Sequence, residues 1–198
     1  MNSDTGRGWT RHRMFGLRRE WVQLYLQHPN EWRAVGGLGN RQVMSLEQWL
    51  VTAGLATKHG CETELCRLMR TAGLANLVNW ERLWANVCLA FPTAWWYIRE
   101  LGLGAWSVRE LTTRLQSHTG LTERTCYDAI CELVGLLERT PIGLELGQGG
   151  VSRDRPRLVR RTGLAQPGPE AILFATAAFS RVRGLMESPI MSTRSLFV

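Results

Sequence analysis

Two glycine-rich stretches are the residues whose types and spacing first suggest chemistry. RTPIGLELGQGG, residues 139–150, places four glycines in its last eight positions, and GGLGNR, residues 36–41, precedes a segment with helical periodicity. A phosphate-binding loop needs a strand before it, a helix after it and a GK[ST] ending whose lysine reaches the phosphates. Residues 143–150 follow a helical pattern, precede a basic run and contain no lysine. GGLGNR opens a helix, whose N-terminus can hold an anion, but it too lacks the lysine and the full spacing. Neither stretch is read as a nucleotide site.

Other catalytic patterns are missing. The histidines are His12, His28, His59 and His118, and neither HExxH nor GxSxG occurs. Five cysteines include two C-x4-C pairs, Cys61/Cys66 and Cys126/Cys131. An odd count at this spacing suits thiols serving as small hydrophobes better than a disulfide framework or a zinc knot. His59 beside Cys61 is too little for a metal. The reading is therefore a non-enzyme with no cofactor and no metal.

The arginines are more informative. They supply 23 of the 24 basic residues, Lys58 being the one lysine, and the formal net charge is +7. Residues 1–42 hold seven arginines against three acids, and residues 139–198 hold nine against four, whereas residues 43–138 are slightly acidic. The planar guanidinium fork suits phosphates and guanine edges, and charge gathered this way is the footprint of a nucleic-acid binder. The bland alternative is a merely soluble surface.

The elements that position these arginines are mostly helices. Residues 17–28 put Leu17, Trp21, Leu24 and Tyr25 on one stripe and end before Pro29. A second helix follows from Asn40, read as its cap, to Gly54; a short one covers residues 62–71; and a broadly apolar one covers residues 75–91, closed by Pro92. Ser107 and Glu110 form a capping box for a helix stopped by Gly120, and Thr122 caps the next, ERTCYDAICELVGLLER. That pair reads as a helix-turn-helix. LEL and RLVRR, with glycines between them, read as a β-hairpin, and PEAILFATAAFSRVRG as a last helix.

Helix-turn-helix followed by a hairpin is a winged helix. The expected fold is mainly α, with one or two winged-helix modules: a degenerate one over residues 1–92, a second over 93–184, and a loose tail over 185–198. In the second module Arg124 and Tyr127 stand near the start of the recognition helix, Asp128 either accepts from cytosine or holds an arginine, Arg109 and Arg114 meet phosphates, and Arg153, Arg155, Arg157, Arg160 and Arg161 form a basic wing. The tryptophans are assigned to the core. No apolar run approaches the roughly 18 residues of a membrane span, and the N-terminus lacks an apolar signal core, so the expected location is the cytoplasm, with no membrane partner.

RHRMFGLRREWVQLY, LGNRQVMSLEQWLVTAGL, NWERLWANVCLAFPTAWWYI and ERTCYDAICELVGLLERTPIG together resemble an uncharacterised bacterial tandem winged-helix family, over most of residues 9–183. Its genes lie beside phosphoadenosine-phosphosulfate-reductase-like enzymes in phage-defence and DNA-phosphorothioation-type clusters. Its opening motif corresponds here to His12, Phe15, Arg18 and Trp21, with Arg19 and Arg41 nearby, and its acidic position to Asp128. Two departures stand out: Arg13 replaces a glutamate, and RTAGLANLVNW replaces an acidic, glycine-rich stretch. The resemblance implies an accessory subunit of a defence or DNA-modification complex. The expectation is thus non-catalytic binding of double-stranded DNA, with a protein–protein adaptor that docks an enzyme or ATPase as the alternative. An enzyme built on the His12 and Arg18 region is a third reading.

Overall fold

A computed structural model describes residues 8–152 and 156–183. In the first half, α1 (Arg19–Gln27) buries Trp21, Val22, Tyr25 and Leu26 and ends ahead of Pro29. After the short α2 (Trp32–Val35) comes α3 (Asn40–Thr52), which turns Leu46, Trp49 and Leu50 inward. Asn40 is not the cap of α3. It is the first helical residue, Gly39 precedes it in extended conformation, and the Gln42 side chain reaches back to the Gly39 amide at 3.1 Å. A tight loop closed by the Ala56–Glu62 bridge leads to α4 (Glu64–Ala72), where the Thr63 hydroxyl accepts from the Cys66 amide. Asn76 caps α5 (Leu77–Ala90), a helix buried on most sides.

Pro92 both ends that helix and begins the next, α6 (Pro92–Glu100), because a proline at the first helical position removes only an amide that has no partner anyway. Strand β1 (Gly104–Ser107) follows, and Ser107 starts α7 (Val108–Thr119) through the expected capping box: its hydroxyl accepts from the Glu110 amide at 3.2 Å, and its amide donates to the Glu110 carboxylate at 2.7 Å. Gly120 stops α7 with φ +70°, and Thr122 caps α8 (Glu123–Arg139). The chain then forms α9 (Pro141–Leu144), β2 (Gly150–Val151), β3 (Leu158–Arg161) and α10 (Pro169–Arg183). All three strands join one antiparallel sheet in the order β1-β3-β2, with Trp106 opposite Val159 and Val151 opposite the same valine.

The protein is mainly helical with this one small sheet, as its composition and periodicity predict. LEL is a correction. Pro141 restarts a helical turn instead of ending one, so Leu144 ends α9, Glu145 and Leu146 form the turn after it, and no strand forms until Gly150. One continuous cluster of buried apolar side chains runs from Leu17 through Trp49, Trp80, Trp84 and Leu133 to Ala175. Trp21, Trp32, Trp49, Trp80, Trp84, Trp96 and Trp106 are all buried, matching their assignment to the core. Among the described residues no helix is long and apolar enough to cross a membrane. The tail expected over residues 185–198 lies outside the described residues.

Candidate nucleic-acid interface

The two capped helices α7 and α8 pack on each other and fix where their polar side chains emerge. Arg109 and Arg114 leave α7 exposed, with no acid in hydrogen-bond range among the described residues. On α8, Tyr127 is 44% exposed and Arg124 stands in solvent, but Arg124 is not free: its Nε donates to Asp128 at 3.1 Å, one turn on. Asp128 therefore holds an arginine, the second of its two expected roles. Its other carboxylate oxygen is buried without a partner. The neighbouring Cys131 thiol is the main cause of the raised Tyr127 pKa.

The strand arginines divide. Arg160 is exposed, Arg157 is ion-paired with Glu138 near the end of α8, and Arg153 and Arg155 lie outside the described residues. Arg161 is a correction. Expected on a basic wing, it is 1% exposed; its Nε donates to the Gln148 side chain at 3.2 Å, and its Nη1 donates to the carbonyls of Ile98 and Gly102 at 3.2 and 3.1 Å. The guanidinium also lies over the Tyr97 ring, 5.7 Å from its centre. Burial lowers its pKa, so this cation ties β3 to the end of α6 and to the glycine-rich stretch. Strand parity carried the signal: Arg161 shares a face with Val159, which is buried.

RTPIGLELGQGG itself offers no phosphate cradle. The amides of Gly143, Glu145, Leu146, Gly147, Gln148 and Gly149 all donate to carbonyls of residues 140–144. Gly147 sits at φ +64°, where the carbonyl of Gly163 leaves no space for a Cβ, and a side chain on Gly143 would overlap the Leu137 carbonyl. The glycines allow close packing, and their amides are already committed.

The N-terminal motif is the larger surprise, because it is joined to α8. His12 and Glu132 are both 0% exposed, and the His12 Nδ1 donates to the Glu132 carboxylate at 3.0 Å. The amides of Arg11, His12 and Met14 donate to the same carboxylate at 3.2, 2.9 and 3.1 Å. Arg13 and Met14 adopt φ of +54° and +69°, a conformation that non-glycine residues rarely take; it lets the chain wrap its amides round one anion, a backbone nest. The imidazole stacks on Trp49 at 3.5 Å, and the Trp49 indole donates to the Phe15 carbonyl at 2.7 Å.

Burial is the chief cause of the lowered His12 pKa, outweighing the opposing effect of Glu132. The ring is neutral, so its Nε2 accepts from the Thr52 hydroxyl at 3.0 Å. Hydroxyl, imidazole and carboxylate stand in the order of a nucleophilic triad. Yet Thr52 is only 6% exposed and the other two not at all; their polar atoms are engaged with one another and with three backbone amides, so the trio clamps the N-terminal segment to α3 and α8. His12 is thus not part of a basic surface. Phe15 packs against the core, Arg18 is half-buried, and Arg19 and Arg41 are exposed.

The clamp lays residues 14–18 along α8. A Cβ on Gly16 would overlap the backbone of Gly135 and Leu136, so the two chains touch at backbone distance. Beside this crossing lies a cavity of about 290 Å³ that gathers Phe15 and Arg18 from the N-terminal motif, Tyr127 from α8 and Arg157 from the strand side. It adds Cys131, Glu138 and Arg139, which had no place in the sequence-based site. Arg109, Arg114 and Arg160 do not line it. Cys66, Cys88 and Cys126 are buried as expected of small hydrophobes, whereas Cys61 is exposed. No group of metal-binding side chains occurs among the described residues. The chain matches no protein-family model, no curated protein and no solved structure.

Proposed function

We propose that this protein is a non-catalytic subunit that binds double-stranded DNA through a winged helix formed by α6, β1, α7, α8, β2 and β3. The observation that carries the reading is the connection order. A helix-turn-helix is followed, after the single turn of α9, by an antiparallel hairpin whose second strand pairs with a short strand ahead of the motif, giving the sheet order β1-β3-β2. In this arrangement the first turns of α8 enter the major groove and α7 crosses the backbone. Tyr127 and Arg124 then face base edges, and Arg109, Arg114 and Arg160, exposed and without acid partners among the described residues, face phosphates. The first half supports a degenerate copy of the same plan: α1, α2 and α3 are followed by the tight loop closed at Ala56–Glu62. Membership of a defence or DNA-modification complex follows from the resemblance of the sequence motifs alone.

A second reading has its own observation. Arg124 and Arg157 are engaged by Asp128 and Glu138, and Gly16 lies on the C-terminal half of α8 at Gly135 and Leu136. A helix so occupied suits an adaptor that docks an enzyme or ATPase partner without touching DNA. Binding of a labelled duplex at low salt separates the two. The DNA reading expects binding that weakens markedly when Arg109, Arg114 and Arg160 together become Ala; the adaptor reading expects no binding, or binding indifferent to the triple change.

A further inference from the structure

The cavity between the N-terminal segment and α8 is electrically unbalanced. It is lined by three guanidinium groups, Arg18, Arg139 and Arg157, and one carboxylate, Glu138. Glu138 is ion-paired with Arg157, and among the described residues neither Arg18 nor Arg139 forms an ion pair. Arg18 is held in place with its guanidinium 4.8 Å from the centre of the Trp21 ring. Its Nε is buried and has no acceptor among the described residues, although a desolvated donor without a partner costs about 1–3 kcal/mol. Burial lowers the Arg18 pKa and the nearby Arg139 lowers it further, outweighing the opposing effect of Glu20. Two like charges left facing one partly enclosed space are stabilised by an anion that supplies several acceptor oxygens at once.

We infer that this cavity is a receptor for a phosphate monoester, held between Arg18 and Arg139 with Arg157 at its edge. The pairing of two cations that form no ion pair among the described residues with one dianionic group favours a terminal phosphate over a backbone diester, which carries a single charge. Guanidinium forks match phosphate oxygens two at a time, and a volume of about 290 Å³ is at the small end of ligand sites, enough for one such group and the atoms next to it. Phe15 and Tyr127 provide an aromatic wall for the ester side. The monoester can be the 5′-phosphate of a DNA end or a free phosphate species. The first source rests on the DNA-binding reading; the second does not.

Thermal shift and calorimetry with inorganic phosphate at constant ionic strength, chloride replacing phosphate in the control, test the site itself. Saturable stabilisation is expected. Arg139→Gln is expected to weaken it by about tenfold, the loss of one charge-assisted hydrogen bond, and Glu138→Gln to tighten it, because the one opposing carboxylate is gone. Both positions are exposed, so folding is preserved. Blunt duplexes ending in 5′-phosphate or 5′-hydroxyl identify the source. A preference for the phosphorylated end that Arg139→Gln abolishes assigns a DNA terminus; phosphate binding with equal affinity for both duplexes, or for neither, assigns a free phosphate. The inference is overturned if phosphate gives no saturable effect, or if Glu138→Gln weakens binding as Arg139→Gln does.

Discussion

Removing the Glu132 carboxylate is the sharpest perturbation of the clamp. Glu132→Ala deprives four donors of their acceptor: the amides of Arg11, His12 and Met14 and the Nδ1 of His12, now at 2.9–3.2 Å. A buried donor left unsatisfied costs about 1–3 kcal/mol. Arg11 and Met14 are exposed residues whose amides water can reach, so the full penalty falls on the two His12 groups. That gives roughly 3–5 kcal/mol, the range found when one partner of a buried pair is deleted. For a chain of this length each kcal/mol moves Tm by about 2–4 °C, so a fall of roughly 10–15 °C is expected. Glu132→Gln, which keeps one acceptor, should lose about half as much. Urea unfolding followed by tryptophan fluorescence reads the change, and amide exchange in residues 11–16 should rise with it. A loss below about 1 kcal/mol, or an equal loss from Glu123→Ala on the exposed first turn of α8, would refute the reasoning.

Gly16→Ala should destabilise by about 3 kcal/mol, since its Cβ meets backbone that cannot rotate away; a stability within 0.5 kcal/mol of the parent, measured by urea midpoint, would contradict that crossing. Arg161→Lys keeps the charge but loses the fork that reaches Gln148, Ile98 and Gly102. It should cost about 2–3 kcal/mol and leave duplex affinity unchanged, and the reverse pattern would make Arg161 a phosphate contact after all. Burial depresses the folded-state pKa of His12 below 6.5, so the unfolded chain takes up the proton first. The stability due to a neutral His12 is therefore complete above pH 6.5 and lost as pH falls below it. Comparing urea midpoints of the parent and His12→Gln from pH 8 to pH 5 checks this: the parent's advantage should shrink in the acid limb, and a constant difference would contradict it.

Where a cap or stop is local, the sequence was readable. Ser107 and Glu110, Thr122, Gly120 and Pro169 mark the ends of α7, α8 and α10 because each acts on amides or angles within four residues. GAWS gives no such sign. β1 is a strand through its pairing with β3, more than 50 residues later, and the glycines at 102 and 104 look locally like a turn. α6 is hidden in the sequence because Pro92 reads as the end of one helix, while the same proline also begins the next. The clamp was out of reach of local pattern, since His12 and Glu132 are 120 residues apart. The nearest clue was Glu132 itself, a carboxylate on the same side of α8 as the buried Ala129 and Leu136. The candidate site was legible in part: Arg109, Arg114 and Arg160 are exposed as expected, whereas Arg161 followed the parity of its strand inward.

The central claim, contact with DNA phosphates, is tested most directly by the salt dependence of duplex binding. Anisotropy titrations of a labelled duplex with the full chain between 50 and 200 mM salt should give log K falling linearly with log salt, by about 0.9 for every phosphate engaged. The parent slope should be at least about −3, and replacing Arg109, Arg114 and Arg160 by Ala should flatten it by about one unit per residue. Absence of binding at 50 mM salt, or a slope that the triple variant leaves unchanged, would contradict the account.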